Sequence, residues 1–161
     1  MPKKVAKKPA PKKKKGAKKA TKSCPKGALQ TGQRGSYGQL LKQKGDGKKD
    51  RDHIPSNAAL QAAAALYMKR PLTAPEKRRV QRIGEAIVLE KSVHKKGRTY
   101  GGKNTKKQSS ADAKDLAKAA EQDIKAYQKL GVGTKLVKEM QKMKLSKAEY
   151  RRRLVNAVND V

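Results

Sequence analysis

The chain has two histidines, and each sits among residues suited to phosphate and metal chemistry. His53 lies in Asp50-Arg51-Asp52-His53-Ile54-Pro55-Ser56. His94 lies in Val93-His94-Lys95-Lys96-Gly97-Arg98-Thr99-Tyr100-Gly101-Gly102-Lys103-Asn104. Cleaving a phosphodiester needs a base to activate water, a cation to neutralise charge on the phosphate and leaving oxygen, and something to position the base. In an extended segment Asp52 and His53 point to opposite sides, so that one holds a metal ion while the other faces water. His94 is placed to complete the metal site, Arg98 to make a fork-like contact with phosphate, and Asn104 to act as a ligand or orient the base. The expected ion is Mg²⁺ or Mn²⁺, although a histidine ligand also admits transition metals. Each residue also has an ordinary structural reading: Asp52 pairing with Arg51 or capping a helix, Gly101-Gly102 forming a tight turn, a histidine lying on the surface.

The rest of the composition names the partner. With 43 basic and 13 acidic residues the net charge is +30, which selects a polyanion, and nucleic acid is the commonest one. Lys95, Lys96 and Lys103 stand beside the His94 segment, and Lys12, Lys13, Lys14 and Lys15 form a run near the N-terminus. All seven are expected to contact phosphates without reading sequence. Cys24 is the single cysteine, which excludes an intramolecular disulfide framework and a cysteine-based zinc site. No apolar run is long enough to span a membrane, and the N-terminus lacks the apolar stretch of a cleavable secretory signal. A membrane partner is therefore not expected.

These residues must be positioned by a small core. There is no Phe or Trp, and the apolar residues concentrate after residue 54. Residues 1–26 hold 12 Lys and no acid, interleaved with Ala and Pro. They resemble lysine-rich histone tails, and disorder is expected there. Residues 27–47 read as a Gly-rich, loop-like arm able to dock on the domain, with a small apolar cluster at Tyr37-Leu40-Leu41, and the folded part, 48–161, as mostly helical. Ser56 or Asn57 caps an Ala-rich helix that Pro71 ends. Thr73-Ala74-Pro75-Glu76 is a capping box for a second helix to about Ile83. Glu85 to Glu90 is a strand or short extended segment. Then come the His94 loop, a long helix over about 110–130 with Leu116, Ala120, Ile124 and Tyr127 on one face, and a helix from Thr134. The last helix opens with a second capping box at Ser146–Glu149.

Asp52-His53-Ile54-Pro55 resembles the first motif of HNH, or His-Me finger, nucleases. The run from Ile87 through His94 to Asn104 is similar to their later metal-ligand segment. The combination looks most like the nuclease domains of bacterial polymorphic toxins and contractile-injection effectors. That resemblance implies endonuclease activity with His53 as general base and Asp52 and His94 as Mg²⁺ ligands. It also implies synthesis in the cytoplasm, delivery into a target cell, and an acidic immunity protein or secretion-particle component as partner. The chain departs from the family in two ways: two helices (about 56–83) separate the motifs, and Asn104 follows His94 rather than preceding it. The reading requires that the inserted helices let Asp52 and His94 meet.

The expected fold is thus mainly α with a small β element: a compact helical domain with a His-Me-finger-like site behind a Lys-rich arm. The expected function is a metal-dependent endonuclease of little sequence specificity, acting on DNA or RNA. The alternatives are a histone-like architectural protein, or a basic packaging protein of a phage or secretion particle.

Overall fold

Six residues, Glu85 to Glu90, form the centre around which the chain folds. The computed structural model describes residues 27–160; the expected disordered segment 1–26, with Lys12 to Lys15, lies outside them. Residues Glu85–Glu90 form the middle strand (β3) of a three-stranded antiparallel sheet, between β1 (Arg34–Ser36) and β2 (Lys49–His53). The four residues Ala86, Ile87, Val88 and Leu89 are fully buried, so both faces of the strand are covered. Ile87 and Leu89 enter a cluster with Ile124, Tyr127, Met140 and Met143. Ala86 and Val88, one residue out of phase, pack with Leu29 and Leu40.

That second cluster shows where the Gly-rich segment docks. The segment 27–47, set apart by its glycines, belongs to the folded body: it supplies β1, the short helix α1 (Tyr37–Leu40), and the two leucines that cover Ala86 and Val88. Without it that face of β3 would meet water. Burying each leucine stabilises by roughly 1.5–3 kcal/mol.

Helices surround the sheet, and among the described residues the fold is mainly α with a small β element. Ser56 caps α2 (Asn57–Met68) by accepting from the Ala59 N–H, and Lys69 ends it in the left-handed conformation at φ 54°. The Thr73–Glu76 capping box opens α3 (Ala74–Ile83). A single helical turn, α4 (Lys91–His94), leaves β3 and is followed by a 3₁₀ turn at Gly101–Lys103. The remaining helices are α5 (Lys106–Ala113), α6 (Leu116–Lys129), α7 (Thr134–Gln141) and α8 (Lys147–Asn159). Ser146 caps α8, whereas the Glu149 side chain turns to Arg152 and Arg153 instead of closing a box. A third apolar cluster, built on Leu60, Val80, Leu116 and Leu154, joins α2, α3, α6 and α8.

The single long helix expected over 110–130 is two helices. Asp115, at φ −150°, breaks the run and caps α6 by accepting from the Lys118 N–H. The break lets Asp112 at the end of α5 and Asp123 within α6 face the same guanidinium, that of Arg98. No helix among the described residues is long and apolar enough to cross a membrane.

Candidate active site

The alternation of β2 sorts its residues onto two faces. Asp50 and Asp52 lie opposite Leu89 and Ile87, on the face towards α6; Arg51 and His53 lie opposite Val88 and Ala86, on the face covered by residues 27–47. Among the described residues β2 pairs only with β3, which leaves its other edge open. A cleft of about 400 Å³ runs past that edge, lined by Asp52, His53, the first residues of α2, His94, Tyr100 and Asn104.

On the α6 side, His94 spans the two carboxylates. Its Nδ1 lies 3.0 Å from Asp50 Oδ2 and its Nε2 3.1 Å from Asp52 Oδ1. Burial alone would lower the imidazole pKa, but hydrogen bonds and charge from Asp52 and Asp50 more than reverse this and raise it to about 9. At neutral pH the ring is therefore a cation that donates from both nitrogens. The second oxygen of Asp52 accepts from the Tyr127 hydroxyl at 2.7 Å. Burial, together with the Asp52 charge, drives the Tyr127 pKa far above the usual tyrosine range, so the phenol stays a donor. Gly97 makes this approach possible, since a Cβ there would stand 2.5 Å from the Tyr127 hydroxyl. Tyr100 meets the His94 ring edge-on, with centroids 4.9 Å apart.

On the other face His53 is held tightly. It stacks on Tyr37 at 4.3 Å between centroids. Its Nε2 lies 2.9 Å from the Gln81 carbonyl, which can only accept, so Nε2 carries the proton and Nδ1 keeps a lone pair. Burial lowers the His53 pKa, and the ring is neutral at pH 7. One histidine of the cleft is thus a neutral acceptor and the other a cation.

The structure brings Asp52, His94 and Asn104 to one cleft, with His53 entering it from the opposite face of the strand. The inserted helices do not keep Asp52 and His94 apart, because β2 pairs with β3 across the insertion and α4 follows β3 directly. Arg98 requires a correction. Expected to fork a phosphate, it points inward: Nε donates to Asp123 at 2.8 Å, while its other nitrogens reach Asp112 at 3.0 and 3.3 Å and the Ala119 carbonyl at 3.4 Å. A planar fork fits a carboxylate as well as a phosphate, and here it has two carboxylates. Lys95, Lys96 and Lys103 are exposed beside the loop, and Lys103 Nζ reaches the Lys95 carbonyl at 3.4 Å.

Sequence reasoning missed two groups. Asp50 carries a readable signal, since it stands two residues before Asp52 on a strand and so shares its face. Tyr127 was read only as part of an apolar stripe; its ring is indeed in the core, and nothing local announces what its hydroxyl reaches.

The donor types suit a hard divalent cation. Asp50 and Asp52 supply carboxylate oxygens, and the side-chain oxygen of Asn104, buried at the same cleft, has no hydrogen-bond partner among the described residues. Among the described residues no three His, Cys, Asp or Glu side chains are grouped as a ready metal cage.

Over 94 residues the chain is 43% identical to Deoxyribonuclease CdiA of Dickeya dadantii (strain 3937). The match takes in 57% of this chain and 3% of that protein, so the chain spans only a small part of the relative's length. No protein-family model matches the chain, and no solved structure matches it significantly.

Proposed function

We propose that this chain is an endonuclease domain that cleaves DNA phosphodiesters with little sequence specificity, working in the cleft along the open edge of β2. The observation that carries the reading is the meeting of Asp52 and His94 at 3.1 Å across a two-helix insertion. The likeness to a deoxyribonuclease supports DNA rather than RNA as the polymer. His53 is the general base: the Gln81 carbonyl fixes its tautomer, and Nδ1 takes the proton from the attacking water. His94 holds Asp50 and Asp52 together and places positive charge where a phosphate would otherwise meet two carboxylates. Asp50, Asp52 and Asn104 would hold Mg²⁺ or Mn²⁺, joined by His94 once it gives up a proton. The ion would supply charge neutralisation at the phosphate and the leaving oxygen. We read β2 and the β3–α4 unit as the counterparts of the two HNH motifs, with α2 and α3 inserted between the strands. We read the protein as a toxin or injected effector whose basic surface holds the substrate and suits an acidic immunity partner.

The test is cleavage of supercoiled plasmid and total RNA by wild type, His53→Ala, Asp52→Asn and His94→Gln, with Mg²⁺ or with chelator. Wild type is expected to nick and linearise plasmid only with the ion, and each variant to lose roughly 100-fold or more. Intact plasmid with a mobility shift in every sample would instead make this a histone-like binding protein. The +30 charge would produce that result without any chemistry.

A further inference from the structure

The two halves of the cleft come from distant parts of the chain: Asp52 lies at the end of β2, and His94, Tyr100 and Asn104 lie on the loop after β3. One helix touches both. From α6, Tyr127 donates to Asp52 at 2.7 Å, and Asp123 accepts from Arg98 at 2.8 Å. Four residues apart, they project from the same side of the helix, one turn from each other. Arg98 sits within the loop between His94 and Tyr100, so fixing its guanidinium fixes the loop. Asp112 closes the clamp from α5. The contacts leave little slack. Gly97, between His94 and Arg98, has no room for a side chain against the Tyr127 hydroxyl and the His94 carbonyl. Asp123 and Tyr127 are both almost completely buried.

We infer that α6 sets the spacing of the site: Tyr127 and Asp123 are positioning residues that hold Asp52 and the His94–Asn104 loop in register. The inference rests on the nuclease reading for its effect on catalysis, but not for its effect on geometry. Tyr127 touches neither face of the open cleft and acts through the Asp52 oxygen that His94 does not use. Removing its hydroxyl frees Asp52 to rotate, which loosens the carboxylate against His94 while the aromatic packing stays.

The experiment compares wild type, Tyr127→Phe, Asp123→Asn and Gln122→Ala, an exposed α6 position, in plasmid cleavage at saturating and limiting DNA. Imidazole ¹⁵N–¹H spectra are recorded on the same proteins with chelator and without DNA. With two histidines in the chain the spectra are readily assigned. Tyr127→Phe is expected to lower kcat roughly 10- to 100-fold, as loss of a partner that orients a ligand does, with KM for DNA nearly unchanged. Its His94 Nε2 signal shifts while the His53 signals stay. Asp123→Asn shifts the Nδ1 and Nε2 signals of His94 together, and Gln122→Ala changes nothing. Wild-type kcat and unmoved His94 signals in Tyr127→Phe would overturn the inference, as would a loss seen only in KM. If Tyr127→Phe fails to fold, Asp123→Asn decides by the same readouts. If wild type cleaves nothing, the nuclease reading fails, and the spectra still decide the positioning.

Discussion

The two histidines should titrate on opposite sides of 6.5, and the stability of the protein should record it. His94 is raised to about 9, despite burial, by the carboxylates it spans. Its side chain is 19% exposed, so solvent screens the interaction only modestly. Moving a histidine from 6.5 to about 9 corresponds to roughly 3 kcal/mol at ~1.4 kcal/mol per tenfold change in proton affinity. The sign follows from linkage. Below about 6.5 both folded and unfolded chains hold the proton, and the stabilisation is complete. Between 6.5 and 9 only the folded chain keeps it, and the advantage falls away as pH climbs. Against a total stability of about 5–15 kcal/mol this is a large fraction. Urea unfolding of wild type and His94→Gln from pH 6 to 10, at fixed salt and with chelator, should show wild type losing roughly 3 kcal/mol relative to the variant. Lysines and tyrosines titrate in both proteins and cancel in the difference. Parallel curves would refute the reasoning, because they would mean that His94 does not hold its proton between Asp50 and Asp52. His53 runs the other way. Burial depresses its pKa, so as pH falls below 6.5 the unfolded chain takes a proton that the folded one refuses, and stability drops on the acid side.

Two further outcomes test the supports of the cleft. Gly84→Ala places a Cβ 2.7 Å from a Leu60 methyl and 2.8 Å from His53 Cδ2. It should cost about 1–3 kcal/mol in urea unfolding and disturb the Tyr37–His53 stack, while a variant as stable as wild type would show that the ring can move aside. Arg98→Ala leaves Asp112 and Asp123 buried without their cation and should destabilise by about 3–5 kcal/mol at pH 8. Asp123, pushed up to about 7 by burial, takes a proton as pH falls, so the loss should be smaller at pH 6. A stable Arg98→Ala protein that only binds DNA more weakly would restore Arg98 as a phosphate contact.

What could be read from the sequence divides along the range of the interactions. Helix starts at Ser56, Thr73 and Ser146 were legible because a cap is settled within four residues, and Glu85–Glu90 because its buried run allows little but a covered strand. The break at Asp115 was not legible. Ala and Lys on both sides favour one continuous helix over 110–130, whereas in the structure Asp115 caps α6 and the break sets Asp112 and Asp123 about Arg98. That the segment 27–47 can dock was legible, but not where. Its glycines are visible, but the half of β3 that its Leu29 and Leu40 must cover is not. Within the site, the opposite facing of Asp52 and His53 follows from strand geometry alone. The destination of the Tyr127 hydroxyl and the inward turn of Arg98 depend on how α6 packs, which no spacing rule contains.

On the proposed function, the charge distribution separates holding the substrate from acting on it. The chain carries +30, yet Asp50, Asp52, Asp112 and Asp123, four of its 13 acids, cluster in and behind the cleft. Each pair is bridged by one cation that is itself part of the site, His94 for the first pair and Arg98 for the second, which offsets part of its negative charge. On that function, a phosphate drawn in by the surrounding lysines would meet two carboxylates bridged by a single imidazolium, a repulsive encounter unless further positive charge is supplied. Surface charge alone therefore explains binding but not the placement of acids where a polyanion must sit. On the proposed function, Asp50 and Asp52 would hold a cation on the scissile phosphate, and the exposed lysines and the acidic cleft would be two parts of one device, whereas an architectural binder gives those carboxylates no task.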